Sequence, residues 1–151
     1  MKHNITIVGI ILISHMTGCA TPGIYSTKYS QGLNTLQDGD SIILTEVISS
    51  SPDFKLGDIV TVKGKYTLSS RPEATLLLSV TATKDGGKTH TTKDQKSSVH
   101  QGEGEFVLTT TINCEGLLHL TLYDKTKGSP IGGFYFGTKD QVAKAEMLMG
   151  K

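Results

Sequence analysis

Three histidines and one cysteine hold most of the reactive chemistry in the body of this 151-residue chain: His90, His100, His119 and Cys114. Imidazoles and a thiolate are soft ligands for zinc or copper. Their spacing matches no metal signature, and His119 falls on the outward parity of its strand, so they read as surface or boundary histidines and no metal is expected. Cys114 would be a nucleophile only with a base nearby and a lowered pKa. In Asn113-Cys114-Glu115-Gly116 the adjacent carboxylate acts the other way, which leaves a passive thiol in a turn. Glu103 and Glu105 in Gly102-Glu103-Gly104-Glu105 share a strand face, as paired carboxylates for glycoside hydrolysis would. A solvated acidic turn is the commoner origin of that pattern. Gly86-Gly87 and Gly132-Gly133 do not sit between a strand and a helix with a Lys in register, so they are not phosphate cradles. No Ser lies in a Gly-x-Ser-x-Gly elbow. The expectation is a non-enzyme without a cofactor.

Binding residues are easier to nominate. Lys84, Lys88, Lys93 and Lys96 cluster with Asp85 and Asp94 in a polar stretch that reads as a protruding, solvated hairpin. Tyr123, Phe134, Tyr135 and Phe136 gather near the C-terminal strands, where they serve either the core or a contact surface. The candidate binding surface is therefore Lys88, His90, Lys93, Tyr123 and Tyr135.

Composition narrows the class. There are 15 Lys and Arg against 14 Asp and Glu, a net charge of +1, which gives no bulk attraction to nucleic acid. Two cysteines are too few for a disulfide framework. A length of 151 residues, 36% hydrophobic, suits one domain with its own core.

The N-terminus has one cation, Lys2, then the run Ile5-Thr6-Ile7-Val8-Gly9-Ile10-Ile11-Leu12-Ile13. That run has signal-peptide length and is too short for the ~20 residues of a bilayer span. Met16-Thr17-Gly18-Cys19 follows and resembles the lipobox of bacterial lipoproteins, with Met16 in place of the commoner Leu. The resemblance implies cleavage between Gly18 and Cys19, diacylation of the Cys19 thiol and usually acylation of the new amino group. Two or three acyl chains hold a protein firmly, at about 0.8 kcal/mol per buried CH₂. Ala20, rather than Asp, after the cysteine resembles lipoproteins sorted to the outer membrane of Gram-negative cells. Removing 18 residues from 151 leaves 133, with Lys2 gone and 14 basic against 14 acidic residues. A neutral body adds no polybasic attraction to a membrane.

Residues 19–39 are rich in Ser, Thr, Gly and Asn and read as a flexible spacer. Alternatively, Tyr25, Tyr29, Leu33 and Leu36 lay this segment along the domain. Short β-rich runs follow at 41–48, 59–68, 74–83, 88–93, 105–112, 117–124 and 131–137. Arg71-Pro72-Glu73 separates the second from the third, because Pro cannot donate to a ladder. Inward faces are expected at Val60, Val62, Tyr66 and Leu68, at Leu76, Leu78, Val80 and Ala82, at Phe106, Leu108 and Ile112, at Leu118, Leu120 and Leu122, and at Phe134 and Phe136. Residues 139–149 show near-helical spacing.

About seven short strands predict an all-β domain over 40–138, an antiparallel two-sheet sandwich with a short helical tail at 139–151. The pattern resembles immunoglobulin-like or fibronectin-III-like modules of bacterial surface proteins, though it lacks their Cys-Trp-Cys signature. A small β-barrel is the alternative. The functional expectation is a lipid-anchored envelope module, facing the periplasm or the cell surface, that binds a protein partner or a glycan. The alternatives are a structural accessory of a secretion or pilus system, or a small metal-binding or hydrolytic lipoprotein.

Overall fold

The computed structural model describes residues 23–82 and 89–148, with backbone alone at 89–95 and 148. Gly18, Cys19 and Lys88 lie outside that range, as do the side chains of His90 and Lys93. Seven strands and one helix are described: β1 (Tyr25–Ser26), β2 (Ser30–Asn34), β3 (Ser41–Ser49), β4 (Ile59–Ala82), β5 (Thr89–Thr111), β6 (Gly116–Asp124), β7 (Pro130–Gly137) and α1 (Lys139–Leu148). The all-β class and the C-terminal helix are as expected. All pairings are antiparallel, in one sheet of order β1-β3-β4-β6-β7-β2 with β5 also on β4. The sheet is curled into a half-barrel.

The strand count is reached differently from the sequence reading. The runs at 59–68 and 74–83 merge into the single 24-residue β4. Those at 88–93 and 105–112 merge into the 23-residue β5. Two strands come from the segment read as a spacer. β1 pairs with β3, Tyr25 opposite Ser49, and β2 pairs with β7, Ser30 opposite Gly137. Thr27 donates to the carbonyl of Val47 at 2.9 Å, and Tyr29 sets its ring edge-on to Phe136 at 5.9 Å. The segment is thus laid along the domain: Tyr29 meets Phe136 and Leu36 packs against the core, while Tyr25 and Leu33 stay exposed.

β4 continues through Pro72 because its partners change there. β3 leaves after Thr67, β6 begins at Ala74, and the β5 register jumps from Leu68–Gly102 to Glu73–His100. The missing Pro N–H falls where no ladder asks for one. Asp40 serves the backbone of the crease, accepting from Ser69 N at 2.8 Å, Ser70 N at 3.0 Å and Ser70 Oγ at 2.6 Å. Arg71 Nη1 reaches Asp124 Oδ2 at 2.9 Å, at the end of β6. Opposite, Gly102 has φ of +105°, a conformation a side chain would strain. The Gly102-Glu103-Gly104 element is therefore a fold line within β5, not a turn before it.

The crease divides the sheet into two wings. β1, β3, the start of β4 and the end of β5 form one. The end of β4, the start of β5, β6, β7 and β2 form the other. Their inner faces share a single core, with Val60, Val62, Leu76, Leu78, Leu120, Phe134 and Phe136 all fully buried. The expected inward positions are all in this core except Ala82, which is buried outside it, and Tyr66, which is only partly buried at its margin.

Leu120→Ala should lower unfolding free energy by about 2–5 kcal/mol in urea titrations, and a loss below about 0.5 kcal/mol would be incompatible with a buried site. Asp40→Ala should cost about 1 kcal/mol in the same titration, through the lost hydrogen bonds at the crease.

Candidate functional site

The outer face of the second wing carries three of the side chains that sequence pointed to, His119, Tyr123 and Tyr135. Odd-numbered β6 residues line it: Leu117, His119, Thr121 and Tyr123. Across the ladder stand Thr81, Ser79, Leu77 and Thr75 of β4, and on the other side Tyr135 of β7 faces His119.

α1 covers one end of this face. Thr138 and Gln141 form a capping box: Gln141 N donates to Thr138 Oγ1 at 3.2 Å, and Thr138 N donates to Gln141 Oε1 at 2.8 Å. Gln141 Nε2 also donates to the carbonyls of Asp53 and Phe54, at 3.4 and 3.2 Å. So fixed, the helix lays Val142 and Ala145 against Leu117 and Tyr135. The loop it grips is built on Asp58, which accepts from Ser50 Oγ at 3.0 Å, Lys55 N at 2.6 Å and Ser51 Oγ. Burial alone would raise the Asp58 pKa, but these bonds outweigh it and hold the carboxyl below its ordinary value. The same loop puts Phe54 at φ of +51°, seating its buried ring edge-on to Phe136 at 6.3 Å.

At the centre, His119 stacks on Tyr135 with ring centroids 4.1 Å apart and planes 10° apart. Its Nε2 lies 3.1 Å from Thr121 Oγ1. Burial pulls its pKa from 6.5 to about 4, so the ring is neutral at physiological pH and a weak base. Ser79 stands opposite His119 in the ladder, a nucleophile type beside a base type. However, Ser79 Oγ has no hydrogen-bond partner and the residue is 1% exposed, so the pair is not coupled as nucleophilic catalysis needs. Thr81 Oγ1 is likewise buried and unpartnered. Sequence reasoning missed both hydroxyls, because ladder neighbours are set by register rather than spacing.

The open end holds Tyr123. It lines a cavity of about 400 Å³ with Thr75, Leu77, Lys96, Asp124, Lys125 and Gly128. Tyr123 and Lys96, the last lysine of the polar stretch, therefore meet at one site. Tyr135 lies four residues along the same face, half-buried beside α1 and outside the Tyr123 cavity. Lys125 Nζ is paired with Glu73 at 2.6 Å.

The remaining candidates are dispersed. Cys114 and Glu115 line a second cavity of about 440 Å³, with Phe54, Leu56, Ile112, Leu117 and Lys144. His100 is exposed at the crease, where its N–H donates to Tyr66 Oη at 3.4 Å. Glu105 faces Lys65 at 3.7 Å on the outer face of the first wing. Among the described residues no group of three or more His, Cys, Asp or Glu is placed to hold a metal, and no helix is long and apolar enough to cross a membrane.

Comparison with protein families, with curated proteins and with solved structures finds no match for this chain.

The buried imidazole has a pH signature. An unfolded chain takes up the His119 proton near pH 6.5, whereas the folded one resists until about pH 4. Stability is therefore full above that window and falls as pH drops through it. The lowered carboxyls of Asp40, Asp58 and Asp124 act at lower pH. His119→Phe, which keeps a ring on Tyr135, should flatten the urea midpoint between pH 6.5 and about 4. An unchanged slope in the variant would assign it elsewhere.

Proposed function

We propose that the chain is a lipid-anchored envelope protein, a non-catalytic binding module held at a membrane through Cys19. The observation that carries this reading is Met16-Thr17-Gly18-Cys19, placed after Lys2 and the apolar run and only four residues before Gly23, where the described body starts. Ala20 favours the outer membrane, facing the periplasm or the surface, in a Gram-negative cell. The fold reading that accompanies it is an immunoglobulin-like sandwich whose two layers are the wings of one bent sheet.

The Tyr123 cavity is the proposed contact site. It combines an aromatic wall, an apolar floor at Leu77, the Thr75 hydroxyl and the Lys96 ammonium. An aromatic ring with polar groups around it suits the faces and hydroxyls of a glycan, or a polar loop of an envelope protein. Lys88, His90 and Lys93 belong to the same proposed surface by sequence.

Two measurements test the parts separately. Intact mass of the membrane-extracted protein should show acyl chains on Cys19, and Cys19→Ser should move the protein to the soluble fraction. An unmodified Cys19 in soluble wild-type protein would end the anchoring reading. In-cell crosslinking should capture an envelope partner or peptidoglycan fragments, with a yield cut severalfold by Tyr123→Ala. Equal yield from the variant would remove the cavity from the function.

A further inference from the structure

We infer that the end of the body carrying Ile24, Tyr25, Leu56 and Ile59 is a membrane-docking surface, seated on the same bilayer that receives the Cys19 lipid. The inference rests on the anchoring reading and adds an orientation to it.

The first support is the chain's reach. Because β1 starts at Tyr25, no long spacer intervenes. Five Cα–Cα steps separate Cys19 from Ile24, a span of at most about 18 Å even when fully extended. A lipidated Cys19 thus holds this end of the sheet close to the headgroups, while the opposite end stays remote.

The second support is what that end exposes. Tyr25 pairs with Ser49 and Ser49 with Val60. One step further out, Ser50 N donates to the carbonyl of Ile59 at 3.0 Å, and Ile59 faces Thr111. Ile24 therefore ends the same row as Ile59, two strand spacings or about 10 Å away. Leu56 lies in the adjoining turn, where Gly57 N donates to the carbonyl of Ile112 at 2.7 Å. Ile24 is 83% exposed, Leu56 68%, Ile59 54% and Tyr25 46%. Apolar residues scattered singly over a surface need no explanation. Ile43 and Val107 are of that kind, set among the Lys63–Glu46 and Lys65–Glu105 pairs. At the end where the tether enters, Ile24 and Ile59 share one face of the row, Tyr25 lies on the other, and Leu56 stands beside the exposed Lys55–Asp53 pair; their concentration at that one end is a different pattern.

The third support is the chemistry of a bilayer boundary. Apolar side chains of interfacial segments sink about 5–10 Å into the headgroup–acyl boundary, and Tyr, apolar with one polar tip, suits that depth. The body left after cleavage is neutral, so docking would come from apolar contact and not from a basic patch.

The chain has no Trp, so one introduced Trp reports without background. The full chain, processed in a lipoprotein-maturing bacterial host, would be reconstituted into phosphatidylethanolamine–phosphatidylglycerol vesicles with and without brominated acyl chains. Leu56→Trp should emit at shorter wavelength than Val107→Trp, the mid-face control, and be quenched severalfold more by bromine. Ile59→Trp provides a second probe at the same end. Equal quenching of end and control probes, with Cys19 lipidated and the protein floating with vesicles, would overturn docking and leave anchoring intact. Stronger quenching of Val107→Trp would overturn docking too, by placing the other face on the membrane. Absence of lipid on Cys19 with no flotation would overturn both.

Discussion

At residues 69–72, between the ladder positions Leu68 and Glu73, the backbone of β4 has no strand partner on either side. An extended chain does not ordinarily survive such a gap, because its polar groups need partners. Here one carboxylate, Asp40, takes two N–H groups and a hydroxyl, Arg71 spans to Asp124, and Pro72 has no donor to satisfy. The crease so stabilised lets two long strands belong to both wings. It brings Leu76 and Leu78 into the same core as Val60 and Val62, and it defines the outer face where His119, Tyr123 and Tyr135 lie. Without it, β4 and β5 would form a long flat ribbon with no second wing to bury its apolar side.

The parts legible in the sequence were those governed by alternation. Inward faces on β4, β5, β6 and β7 follow from a period of two, which needs only neighbouring residues. Connectivity was less legible for a specific reason. Pro72 reads as a break because it cannot donate to a ladder, and the Gly102-Glu103-Gly104 element reads as a solvated turn; the ladder does fail at residues 69–72 and at Gln101, just before Gly102. Whether a chain then turns back or bends onward depends on Asp40 and Asp124, residues far away in sequence. Residues 25–34 were read mainly as a spacer because their composition is polar. As an edge contributor, a strand needs one pairing side and few apolar contacts, so composition says little about it.

The candidate site follows the same division. Tyr123 was nominated from its type, and its cavity comes from a turn that only the fold brings beside Lys96. The Ser79–His119 adjacency and the unpartnered hydroxyls of Ser79 and Thr81 were invisible to a linear reading, since they depend on register across two strands. The Thr138–Gln141 capping box was local, and its T-x-x-Q spacing was available to be read. What Gln141 does next, holding the Asp53 and Phe54 carbonyls, was not. One end of the outer face is therefore closed by a helix held at its capping box and at the Asp53 and Phe54 carbonyls, and the other end stays open around Tyr123.

The strands at the two ends of the order β1-β3-β4-β6-β7-β2 come from one stretch, β1 on β3 and β2 on β7, and β1 makes just two register pairs. Any pull delivered through the preceding residues reaches the body first at that shortest strand. Its hydrogen bonds would part before the core is disturbed, and the released edge of β3 would then be bare. Mechanically, the chain has its weakest joint at β1, so tension pulled through the residues before it would be relieved by unzipping an edge instead of unfolding the wings.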